Sequence, residues 1–134
     1  MSAQLALQKA IFQALANNAA LTALIGAGRV HDDPPDALRP PYVLIGTIRS
    51  RLLASSADEG EEHRIAIAAW STENGNRQAA LIAEAVRDAL QAQPLAEAPY
   101  VIANLEAVEC TVGAASGEGL HRADLVFRAV TETR

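Results

Sequence analysis

Apolar residues recur at helical spacing in two long stretches and alternate with polar ones in four others. Ser2 can cap a helix running to about Ala16, with Leu7, Ile11 and Leu15 on one stripe and Leu5 and Phe12 on adjoining ones. Gln4, Gln8, Lys9 and Gln13 fall mostly away from that face, and Asn17 and Asn18 make a stop. A shorter turn of helix is predicted over Ala19 to Ile25, ending at Gly26 and Gly28. The second long helix is predicted over Gln78 to Leu90, with the stripe Ala79, Ile82, Ala83, Val86, Ala89 and Leu90.

Alternation marks the strands. From Tyr42 onward, Tyr42, Leu44, Ile48 and Leu52 share one parity; Val43 and Ile45 begin the other, which continues as Thr47, Arg49 and Arg51. HRIAIAAWS follows, with Ile65, Ile67 and Ala69 on one parity and Ala66, Ala68 and Trp70 on the other. Two more strands are predicted at about Val101 to Val112 and Leu120 to Thr131, separated by GAASGEG.

Two connections stand out. Arg29 to Ile48 holds four of the six prolines, so Val30 to Pro41 is neither helix nor central strand but a stiff extended loop, with Asp32 to Pro41 ordered because proline lowers the entropy lost on folding. Arg29 to His31 can add a brief edge strand before it, and Tyr42 is expected to anchor the loop with its ring in the core. The second connection, Ala54 to Glu62, reads ASSADEGEE and has nothing to bury; it is expected to be a mobile hairpin link. Its carboxylates Asp58, Glu59, Glu61 and Glu62, with Arg49 and Arg51 just before it, are the candidate interface residues.

The order α, short α, β, β, α, β, β predicts a single α+β domain over 1–134: an antiparallel sheet of about four strands with two main helices packed on one face. The other face then meets solvent or a neighbour. Apolar residues expected on that outer side (Val43, Ile45, Val126 and Val130) favour a neighbouring subunit.

Composition narrows the function classes. Net charge is −5, with ten arginines and one lysine, which disfavours a surface built to hold phosphate backbone. No apolar run approaches the roughly 20 residues of a membrane span, and the lone Cys110 cannot close an internal disulfide, so a soluble intracellular domain is expected. His31, His63 and His121 lie in different segments without metal-ligand spacing, and His31-Asp32-Asp33 lacks a second histidine nearby. Gly113 to Gly119 lacks the lysine and following helix of a phosphate loop, and Ser116 and Cys110 lack an activating context. No catalytic residue, metal site or cofactor is expected.

The proline stretch carries a resemblance. Val30, Asp32, Pro34 and then Pro41, Tyr42, Val43 and Gly46, followed by a strand ending in Trp70-Ser71 and an alanine-rich helix, resemble the tail-completion (tail terminator) proteins of tailed phages and gene transfer agents. The resemblance covers nearly the whole chain and makes Asp32, Pro34, Pro41, Tyr42 and Gly46 its structural loop anchor. It implies a structural subunit and no enzyme: a ring of six copies that caps the tail tube and joins it to the head. The implied partners are the chain itself, the tube protein and a head-completion or connector protein. DNA would pass through an acidic lumen without specific binding, no membrane would be involved, and the protein would be cytoplasmic during assembly and then part of the particle. From the residues alone, a small ligand-binding or regulatory α+β domain is the alternative.

Overall fold

Ser2 opens the first helix, α1 (Ala3–Ala16), its side chain accepting a hydrogen bond from the Leu5 amide. The computed structural model describes residues 2–53, 60–115 and 120–133. Leu7, Ile11 and Leu15 are fully buried, flanked by Ala3, Ala6 and Ala10. Leu5 and Phe12, on the adjoining stripe, stay 59% and 42% exposed. At 3.6 residues per turn they lie about 100–120° round the helix from Ile11, and the alanines fill the space on its other side.

Asn18 caps α2 (Ala19–Ile25) by accepting from the Leu21 amide, and Gly26 ends it with a φ of 92° that favours glycine. Then come β1 (Val30–His31), the proline loop, β2 (Tyr42–Leu52), β3 (Glu61–Ser71), α3 (Arg77–Gln91), β4 (Leu95–Glu97), β5 (Tyr100–Ala114) and β6 (His121–Thr133). These strands form one six-stranded sheet in the order β1-β2-β3-β6-β5-β4. The pairing of β1 with β2 is parallel and the rest are antiparallel. The four long strands match expectation, and two short edge strands make the sheet larger and mixed. Of these, β4 lies between Pro94 and Pro99, too short to display a period, and turns back onto β5 with Glu97 opposite Tyr100.

The helices pack on one face. Val43, Ile45, Ile65, Ile67, Leu125 and Phe127, all 1% exposed or less, meet Leu7, Ile11, Leu15, Ile82 and Val86 from α1 and α3. Val43 and Ile45 thus belong to the core rather than to the outer side expected of them. The cause is a bulge: Ile45 pairs with Ile67 and Ile48 with Ile65, so Gly46 and Thr47 together oppose Ala66. Gly46 suits this position, because a Cβ would sit 3.2 Å from the Ala66 carbonyl oxygen, closer than an ordinary contact. Before the bulge Tyr42 and Leu44 face outward. After it Ile48, Ser50 and Leu52 take the helix side, and Arg49 and Arg51 the outer side. Val126 and Val130 are outward as expected, though Val130 is only 7% exposed.

β3 also begins earlier than expected. Glu61 and Glu62 continue the ladder opposite Leu52 and Arg51, so they are strand residues and not part of a loop.

Candidate assembly interface

The proline loop is held mainly by a residue the sequence did not single out. Arg29 donates from Nε to the Pro41 carbonyl at 2.8 Å and from Nη2 to the Arg39 carbonyl, while its own carbonyl accepts from the Val43 amide at 3.0 Å. Arg29 lies immediately before β1, next to the strand it ties down, and a guanidinium offers several donors in a fixed fork. Asp32 is fixed to α1: Gln8 Nε2 donates to Asp32 Oδ2 at 2.6 Å. Pro34 and Pro41 are half-buried, and the Pro40–Pro41 bond is cis.

Tyr42 does not enter the core. Because β2 starts on the outward parity, its ring stacks on Trp70 with centroids 6.1 Å apart, and Arg122 lies 4.9 Å over the Trp70 ring. Leu44, Ala66, Ala68 and Val126 continue this end of the outer face with small or apolar side chains.

The other end is charged. Arg49 pairs across with Arg64, Arg64 with Arg128, and Arg128 with Glu106, so one row crosses four strands as Arg-Arg-Arg-Glu. In the adjacent row Glu62 accepts from Arg51 Nε at 2.9 Å and from Arg128 Nη2 at 2.6 Å. These hydrogen bonds, that of Arg128 first, hold the Glu62 carboxyl below its ordinary pKa of 4.5. Of the expected interface residues, Arg49, Arg51 and Glu62 therefore come together. Glu61 falls on the opposite parity, beside Leu52 and Thr131. Asp58 and Glu59 lie outside the described residues. The missed members, Arg64 and Arg128, carry a sequence signal only as arginines next to buried apolar positions of their strands; the row exists through the register.

Behind this patch, on the helix side, a polar chain crosses the sheet. Gln4 Nε2 donates to Ser50 Oγ at 2.8 Å, Ser50 Oγ lies 2.6 Å from His63 Nδ1, and His63 Nε2 lies 2.8 Å from Thr131 Oγ1. Burial pushes the His63 pKa below 6.5, and nearby Glu61 opposes this only in part. A serine hydrogen-bonded to histidine resembles a nucleophile and its base. Here, however, the imidazole's other nitrogen meets a hydroxyl instead of a carboxylate that would stabilise an imidazolium. The arrangement satisfies a fully buried ring within the sheet. Among the described residues no group of three or more His, Cys, Asp or Glu is placed to hold a metal ion. No described helix is long and apolar enough to cross a membrane.

No curated protein matches the sequence. Among solved structures, the chain is similar to a component of the structure described as "Virion of native gene transfer agent (GTA) particle", with a TM-score of 0.88 and 30% identity over 98% of each chain. The model of the family described as tail completion protein gp17 matches residues 9–132. The chain accordingly belongs to the tail completion protein gp17 family, structural components of phage and gene transfer agent tails.

Proposed function

We propose that this protein is a tail terminator: a subunit that closes into a ring of six copies on the head-proximal end of the tail tube, stops tube growth and joins the tail to the head. The observation that carries this reading is the end-to-end correspondence with a chain of a gene transfer agent virion, 98% of each chain at a TM-score of 0.88. The outer sheet face supports it. Helices cover only the other side, and Trp, Tyr and Arg, which dominate protein contacts, collect here. The mechanism is geometric. Identical heterologous contacts close a ring when their rotation closes, and the ring presents two different ends, one to the tube protein and one to a head-completion or connector protein. DNA passes through the lumen without specific binding, and assembly takes place in the cytoplasm before the subunit becomes part of the particle.

The test is deletion of the protein followed by electron microscopy of the particles. Tails of uncontrolled length, or tails without heads, are expected. Normal-length tails joined to heads in its absence would overturn the terminator role.

A further inference from the structure

The charged row has ends of opposite sign. It begins at Arg49 on β2 and finishes at Glu106 on β5. Three arginines standing directly opposite one another across strands oppose folding, and neither Arg49 nor Arg64 has an ion-pair partner among the described residues. Arg49 and Glu106 are three strand spacings apart, about 14 Å, so they cannot neutralise each other within one copy.

Both strands also have an open side where these residues lie. β1 pairs with β2 only at Val43 and Leu44, and β4 pairs with β5 only from Tyr100 to Ile102. Beyond those points neither strand has a second neighbour among the described residues. Guarding is light: Gln4 reaches the Ile48 carbonyl and Gln91 the Leu105 carbonyl. On the outer face the open part of β2 carries Arg49 and Arg51, and the open part of β5 carries Glu106 and Glu109.

From this complementarity we infer that the basic β2 edge of one copy docks on the acidic β5 edge of a second copy, so that Glu106 of the second copy continues the row beside Arg49. The inference rests on the ring reading and supplies its contact. The two edges are different surfaces on opposite sides of the sheet, so the contact is heterologous and each copy uses both. Phosphate is a poorer occupant of this corner, because Glu62 stands among its arginines. Apolar residues beside the row also suit a protein surface.

The experiment is native mass spectrometry and sedimentation of the full chain over a concentration series, for wild type, Arg49→Glu and Glu106→Arg, with circular dichroism melting as the folding control. Wild type is expected to assemble, and each reversal alone to weaken assembly by about tenfold or more, since like charges then meet across the contact. Arg49→Glu places a carboxylate opposite Arg64, so its melting temperature should not fall. Should Glu106→Arg fail to fold, Glu106→Gln is used and still expected to weaken assembly. Mixing the two reversal variants in equal amounts should restore assembly, because each then offers the edge that the other lacks. Wild type that stays monomeric at every concentration overturns this inference and the ring reading together. Wild type that assembles while both reversals assemble equally well overturns this inference alone, as does a reversal that affects only binding to tube protein.

Discussion

The ring of Tyr42 lies over that of Trp70 on the outer side of the sheet, with planes 22° from parallel. Each ring is half-buried, and the pair ties the end of the proline loop to β3 without using the core. Tyr42→Ala should therefore destabilise the protein by about 1–2 kcal/mol, the scale of a partly exposed aromatic pair. Phe127→Ala, which empties a fully buried site, should cost about 4 kcal/mol. Urea denaturation of both variants measures the difference. Equal shifts would show that Tyr42 supports the core as much as Phe127 does.

Acidification should weaken the fold in two stages. In the unfolded chain His63 takes up a proton near pH 6.5, whereas burial holds its folded pKa lower. Between those values the unfolded chain binds more protons, so stability falls as pH drops below 6.5. Glu62, with a folded pKa below 4.5, adds stability that is present above 4.5 and lost as pH falls toward its folded value. The urea midpoint should accordingly begin to decline below 6.5, and His63→Gln should flatten that first decline.

Glu62→Gln removes the carboxylate shared by Arg51 and Arg128 and leaves four arginines facing one another on the outer side. Its melting temperature should lie below wild type at low salt and recover part of the gap at high ionic strength, where exposed charges are screened. A gap independent of salt would mean that packing, and not charge, sets the loss.

Arg29→Met keeps the aliphatic stem but withdraws the donors to Pro41 and Arg39. Hydrogen exchange should then quicken in residues 32–41 while the core strands stay protected, since loops open with smaller free energies than the sheet. Unchanged exchange in that segment would show that the prolines alone hold the loop.

What the sequence made legible was local. The cap at Ser2, the extent of α2, the α3 stripe and the four long strands follow from residues within a turn or two of one another. What stayed hidden depends on pairing. Alternation in β2 could not reveal a bulge, because Gly46-Thr47 becomes an extra residue only against Ala66 on β3. Glu61 and Glu62 read as loop because carboxylates seldom extend strands. In the fold the two arginines bonded to Glu62 come from β2 and β6, one of them 66 residues away in sequence. The Arg49-Arg64-Arg128-Glu106 row has no linear signature at all. The resemblance identified the family, while the charged outer surface emerged only from strand register.

The bulge at Gly46-Thr47 also sets how this gene can tolerate change in length. Remove one of those two residues and the second half of β2 turns over: Ile48 and Leu52 move to the outer face, Arg49 and Arg51 are driven against the helices, and His63 loses the hydroxyl of Ser50. In an alignment such a deletion would look like a trivial one-position gap in a strand. Physically it is a frameshift without a change of codon phase, misdelivering every side chain downstream until the hairpin ends. Indels in this family should therefore be confined to the connections, and a relative that lacks the extra residue should have exchanged the apolar and polar alternation after it.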